Sequence, residues 1–321
     1  MKNKPIILVA GEPYSIFFEI FFKSLKKTNS PILLVGSKKL LIKQMKALKF
    51  KFKINELLVS KIKSSNLRNG CINIVNVNFN HSKIFDKITI KSNKYIEECC
   101  NIALKLIKIT KAKALINGPI SKSNFLKKKY PGMTEYFENK VGFKNKAVML
   151  IYNKRLSVSP LTTHIPIKKV TKKLTKKKII SNIKTIYKFY KENLRINPKF
   201  VVTCLNPHCE TSEKFSEDKK IVLPAIKFLK KNRINVSGPF AADTIFLKDN
   251  LKKYNVVIGM YHDQVLTPLK TIYQFDAINI TLGLPFFRIT PDHGPNNIML
   301  GKNISNPESL IKAIEFAKKI R

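Results

Sequence analysis

Val256-Val257-Ile258-Gly259-Met260-Tyr261-His262-Asp263-Gln264 is an apolar run that stops at a histidine and a carboxylate. Such a run reads as a buried strand whose carboxyl end delivers two polar side chains. The arrangement recurs twice. Leu156 to Leu161 leads into Thr162-Thr163-His164, and Phe200 to Leu205 leads into Asn206-Pro207-His208. In open α/β sheets ligands bind beyond the carboxyl ends of the strands, and a neutral imidazole is a common metal ligand. His164, His208 and His262 are therefore expected to meet at a cleft and hold a divalent metal. Their wide separation in sequence resembles no zinc-finger spacing; the case rests on their shared position.

Working outward, Ile6 to Ala10 reads as a strand, Ser15 to Lys26 as a helix, Pro31 to Gly36 as a strand and Lys38 to Leu48 as a helix. This βαβα start predicts a doubly wound α/β sheet. Lys49 to Lys87 shows only short strand-like pieces, such as Ile72 to Val75. Asn93 to Ile109 is an amphipathic helix with Ile96, Cys99, Cys100, Ala103, Leu104 and Ile107 on one face, so its paired cysteines read as core. Ala114 to Ile116 is a strand ending in Asn117-Gly118-Pro119-Ile120-Ser121-Lys122. A helix is expected from Met133, a hairpin around Asn153-Lys154, and helices over Ile179 to Tyr190 and Ile221 to Lys230. No GxGxxG is present, so a standard Rossmann dinucleotide site is not supported.

At 321 residues the chain is long for one core and predicts two domains. The net charge of +41 raises nucleic acid or an anionic membrane as partners, but almost all of it is lysine, whereas bidentate phosphate and base recognition favours arginine. The lysines are spread along the chain and read as a solvated surface whose field attracts anionic substrates. No nucleic acid and no membrane is expected as partner: no apolar stretch approaches the roughly 18–20 residues of a span. Five cysteines, an odd number without CxxC, fit a reducing cytoplasm.

Three neutral ligands would leave a cation its charge and open positions for substrate. Lys270 and Arg288 can pair with a phosphate or carboxylate, and Asn279 can orient a polar group. Asp243, Asp263 and Asp292 can support the histidines or move protons.

The motifs Gly118-Pro119-Ile120-Ser121-Lys122, Met133-Thr134-Glu135-Tyr136-Phe137, Thr162 to Pro166, Leu205 to His208, Gly238 to Thr244, Met260 to Gln264, Asn279 to Arg288 and Asp292-His293-Gly294, in this order, resemble the 4-hydroxythreonine-4-phosphate dehydrogenase family. Gly11-Glu12-Pro13 resembles the family's opening Gly-Asp-Pro. The resemblance implies a two-domain α/β/α architecture like the isocitrate and isopropylmalate dehydrogenases, with the active site in the interdomain cleft. The first domain would be 1–130 plus 295–321, and the second, 131–294, would hold the metal ligands and the interface of a homodimer. It implies NAD as cofactor, with NADP as the alternative, bound at His293, Gly294 and Gly301. It implies zinc, magnesium or cobalt at His164, His208 and His262, the last completing the partner's site. Met133, Thr134, Lys270, Asn279 and Arg288 fall on substrate positions, and Asp243 and Lys270 are the catalytic candidates. The implied reaction oxidises 4-phosphooxy-L-threonine to 2-amino-3-oxo-4-phosphooxybutanoate, which loses carbon dioxide to give 3-amino-2-oxopropyl phosphate.

Two departures stand out. Met133 replaces the family's histidine, and Cys209-Glu210-Thr211-Ser212-Glu213 replaces a glycine-rich segment. Met133 keeps open a dehydrogenase of another phosphorylated hydroxy acid, such as a tetronate 4-phosphate. An acyl-phosphate transferase shares the broad fold but has no need of three strand-end histidines.

Overall fold

The computed structural model describes residues 4–28, 32–62, 66–112, 114–127, 129–143, 146–212, 214–274 and 276–320. Pro31, Glu213 and Arg321, which figure in the expectations above, lie outside them. The chain divides into two compact units, Met1–Lys144 with Leu284–Ile320, and Asn145–Gly283.

In the first unit the strands are β1 (Ile6–Val9), β2 (Ile32–Gly36), β3 (Lys53–Glu56), β4 (Cys71–Asn76), β5 (Ala114–Asn117) and, from near the C-terminus, the strand Phe287–Thr290. They lie in the order β3-β4-β2-β1-β5 followed by Phe287–Thr290, and every pairing is parallel. Ile7, Val9, Leu33, Val35 and Leu115 share a core cluster with Ile96, Cys99, Cys100 and Ala103 of the helix Asn93–Thr110. The alternate residues Leu8, Leu34 and Ile116 are equally buried. Side chains alternate across a strand, so both faces of this sheet are covered, which is why its strands read as unbroken apolar runs. The cysteines are core, as expected. On the helix, Leu106 is buried and Leu104 only partly so.

The expected boundaries at 130/131 and 294/295 differ from this division. The helix Met133–Val141 contributes Met133, Tyr136 and Phe137 to the first unit's core, and the strand carrying Arg288 pairs with β5. Packing and pairing thus assign both to the first unit.

The second unit contains β6 (Val148–Tyr152), β7 (Ser157–Thr162), β8 (Phe200–Thr203), β9 (Val236–Phe240), β10 (Val256–Tyr261) and β11 (Ile278–Leu282); Phe287–Thr290 is β12. The order is β11-β6-β7-β10-β8-β9. β6 runs antiparallel to both β11 and β7, while β7, β10, β8 and β9 are parallel. Hence β7, β10 and β8 are adjacent and end at one edge, which places the three histidine-bearing tips side by side. The helix His262–Tyr273 packs back on β7 and β10. That return needs Gly259: a Cβ there would collide with Val265 of the helix. Among the described residues no helix is long and apolar enough to cross a membrane.

Candidate active site

The tips of β7, β10 and β8 are tied together by side chains. Thr162 Oγ1 donates to the Met260 carbonyl at 2.8 Å. Gln264, one turn into the helix after β10, does more. Its Oε1 accepts from the Met260 N–H at 2.7 Å and from Thr203 Oγ1 at 2.8 Å, and its Nε2 donates to the Cys204 carbonyl at 2.7 Å. Asp218, 1% exposed, accepts from the Leu205 N–H at 2.7 Å and the Asn206 N–H at 3.1 Å, fixing the chain ahead of His208.

On this frame the His164 and His262 rings stand 5.9 Å apart, centre to centre, inclined by 38°. His262 Nδ1 lies 2.6 Å from Asp263 Oδ1. A carboxylate there favours the Nδ1–H tautomer and leaves Nε2 its lone pair for a ligand. His208 and Cys209 have left-handed backbones, φ 54° and 63°, and His164 has φ 20°. Left-handed non-glycine residues carry strain and gather at functional sites.

Of the three histidines, the structure brings two together. Among the described residues no group of three His, Cys, Asp or Glu side chains is close enough to hold a metal ion. His262 follows its strand directly, whereas His208 rides on a strained turn beyond β8. The donors that are present, two neighbouring imidazoles with one ring set by a carboxylate, suit a borderline divalent cation. Asp243 is exposed in the first turn of the helix Ala242–Ile245, and its negative charge reaches the Cys209 thiol, raising its pKa after burial, the larger cause. Lys270 is exposed in the last turn of the helix His262–Tyr273. Asn279, on β11, has a buried Oδ1 with no hydrogen-bond partner, an acceptor left for a ligand.

The first unit holds the remaining candidates. Arg288 is 3% exposed, with its guanidinium 5.3 Å from the centre of the Phe137 ring and Nη1 donating to Thr134 Oγ1 at 3.2 Å. Burial pulls its pKa down to about 10, so it stays cationic at neutral pH. Met133 is 7% exposed and belongs to the core cluster. His293 is neutral near pH 7 because burial lowers its pKa, and its Nε2 is buried without a partner. Gly301, at φ 77°, leaves only 3.1 Å between a would-be Cβ and the Phe85 ring, so the loop from His293 closes onto the segment around Phe85. A cavity of about 630 Å³ adjoins that contact, lined by Asp86, Lys87, Ile88, Asn297, Ile298 and Leu300. With an apolar wall, polar groups and a loop that a side chain at 301 would push away, it fits part of a dinucleotide.

Sequence reasoning gave no role to Gln264, Asp218 or Asp86. Their signal was faint: carboxylates are rare in this basic chain, 20 against 61 cations, and Gln264 lay within the quoted motif.

A family model described as pyridoxal phosphate biosynthetic protein PdxA matches residues 27–317. The chain is 37% identical over 323 residues to a 4-hydroxythreonine-4-phosphate dehydrogenase of Sulfurihydrogenibium sp. (strain YO3AOP1), covering 97% of each. The crystal structure of 4-hydroxythreonine-4-phosphate dehydrogenase from Klebsiella pneumoniae superposes with a TM-score of 0.82 at 26% identity, over 98% of each chain. Isocitrate dehydrogenase from Methylococcus capsulatus shares the fold alone, with a TM-score of 0.50 at 10% identity over 98% of this chain and 85% of that one.

Proposed function

Since this chain belongs to the PdxA family and its relatives are oxidoreductases named 4-hydroxythreonine-4-phosphate dehydrogenase, we propose that it oxidises 4-phosphooxy-L-threonine with NAD and a divalent metal. The product, 2-amino-3-oxo-4-phosphooxybutanoate, is a β-keto acid and loses carbon dioxide to give 3-amino-2-oxopropyl phosphate. The observation that carries the reading is the set of three adjacent parallel strand tips bearing His164, His262 and His208, with the first two rings 5.9 Å apart.

His164, His208 and His262 would hold the metal, which when bound supplies Lewis-acid stabilisation of negative charge on an alcohol or carbonyl oxygen. Zinc and cobalt fit both the imidazole donors and this role, whereas magnesium, which prefers oxygen ligands, fits the role with substrate oxygens and water completing its shell. NAD, bound at the loop His293 to Gly301, supplies the hydride acceptor. Arg288, held over Phe137 and against Thr134, presents a fixed cation to the anionic ends of the substrate. Lys270 adds a second cation, and Asn279 offers its buried Oδ1 to a donor such as the substrate ammonium. As the C–H hydride leaves, the hydroxyl proton must go to a base; Asp243 is the carboxylate assigned to accept it, and Lys270 is the cation assigned to steady the negative charge left on the oxygen.

The protein acts as a homodimer in this reading. The family resemblance gives His262 to the partner's site, the 5.9 Å between His164 and His262 in one chain favours a site of its own, and mixing inactive subunits decides between them. Ile167, Phe215, Phe240 and Leu247 of the second unit are 66%, 54%, 44% and 57% exposed, apolar surface that a second copy would cover. A biosynthetic enzyme of this kind works in the cytoplasm.

The test is a substrate panel followed by absorbance of the reduced cofactor, with NAD or NADP and with or without added metal. Turnover of 4-phosphooxy-L-threonine should vanish on chelation and return with zinc, magnesium or cobalt; undiminished turnover in metal-free protein sinks the metal assignment. Met133 supports a second reading, because a thioether is a weak acceptor where the family has an imidazole. If a tetronate 4-phosphate is turned over and 4-phosphooxy-L-threonine is not, that reading replaces the first.

A further inference from the structure

The cavity beside the loop from His293 to Gly301 carries chemistry that bears on which dinucleotide it accepts. Ile88, Ile298 and Leu300 give it an apolar wall, and Ile298 is 80% exposed, so a flat base laid against it would remove much apolar surface from water. Asn297 is neutral and serves as donor or acceptor. Asp86 is the one carboxylate among the lining residues. The Lys87 backbone N–H donates to its Oδ1 at 2.8 Å, which leaves its other oxygen for a ligand hydroxyl. The segment is braced from behind: Tyr14 OH donates to the Lys83 carbonyl at 3.4 Å, and Phe85 packs beneath Gly301.

We infer that Asp86 is a specificity-determining residue that selects a dinucleotide with a free adenosine 2′-hydroxyl, NAD, against one bearing a 2′-phosphate, NADP. This rests on the reading that the loop from His293 binds a nicotinamide dinucleotide. A carboxylate accepts a hydrogen bond from a ribose hydroxyl, whereas a 2′-phosphate brings like charge against it. Phosphate recognition favours arginine, and none of the described arginines lines the cavity. Lys87 does line it, but its ammonium is solvent-exposed and attracts the shared pyrophosphate of both cofactors as well as the extra phosphate. The same holds for the +41 net charge: it strengthens both complexes and is screened by salt. The discriminating group is the carboxylate at short range.

The experiment is calorimetric titration of the intact protein with NAD and NADP, for wild type and Asp86→Asn. Wild type should bind NAD at least about tenfold more tightly than NADP, the range set by one charged contact. Asp86→Asn, which keeps the side chain's shape, should bring the two within about threefold, mainly by tightening NADP. Competition of bound NAD by AMP and by adenosine 2′,5′-bisphosphate in wild type needs no variant, and AMP should win. Equal affinities in wild type overturn the inference, and so does a ratio that Asp86→Asn leaves unchanged. Binding of NAD with either of those results leaves the cofactor reading standing, whereas binding of neither dinucleotide overturns both.

Discussion

Glu12 sits one residue beyond the left-handed Gly11 and is 1% exposed, with no well-formed hydrogen bond to its carboxyl group and Ser92 as its nearby polar side chain. Burial pushes its pKa up to about 7 from 4.5, with Ser92 pulling weakly the other way. The folded chain thus holds a proton that the unfolded chain releases near pH 4.5. As pH rises from there to about 7, the unfolded state gains and stability falls; below 4.5 the full stability is present. The shift corresponds to about 3 kcal/mol. Glu12→Gln should remove this slope and raise stability at pH 8 by up to about 3 kcal/mol, while changing little at pH 4.5. Urea unfolding of both proteins at several pH values checks this, and an equal difference at every pH would count against it. Met133 teaches a related lesson. Its place in a motif marked it as a ligand contact, and its side chain is 7% exposed and packs in the same core cluster as Phe137.

At the scale of elements, the frame of the histidine tips depends on one amide. Replacing Gln264 with Leu would leave the Met260 N–H and the Cys204 carbonyl without this partner and the Thr203 hydroxyl with only the Ile258 carbonyl at 3.3 Å, and an unsatisfied buried group costs about 1–3 kcal/mol. Gln264→Leu should lower the melting temperature and also weaken metal affinity and turnover about ten- to a hundredfold, as expected of groups that orient ligands. Gln264→Glu keeps both acceptor bonds and should recover part of the loss. A fall in melting temperature with unchanged metal affinity would make the residue purely structural. The strands of this frame were legible because β7, β8 and β10 are buried runs with polar tips. β3 was not: Lys53–Glu56 is an edge strand, half exposed, and alternates no apolar face. The π-helical turn Asp218–Val222, whose first residue fixes the chain before His208, departs from the 3.6-residue period and was equally invisible. What the sequence could not supply was the set of contacts made by polar side chains, since these depend on which strand tips become neighbours.

At the scale of the whole molecule, the proposal that His262 completes the partner's site can be separated from a site built in one chain. The geometry within one chain makes the question sharp, because His164 and His262 already stand 5.9 Å apart there. Consider His164→Ala mixed with His262→Ala. If His262 acts across the interface, a hybrid dimer has one dead site, lacking both histidines, and one intact site, with His164 from one subunit and His262 from the other. Equal amounts exchanging at random make half the dimers hybrid, so about a quarter of wild-type activity should return from two inactive parents. If each site uses its own chain, both sites of every hybrid lack one histidine and nothing returns. Exchange is verified independently by mass spectrometry of the mixed dimers, and metal content offers a second readout, since only an intact site should retain the cation after dialysis. Recovery near a quarter, with bound metal rising in proportion, is the expected outcome. Full exchange without recovery would place all three histidines of a site in a single subunit.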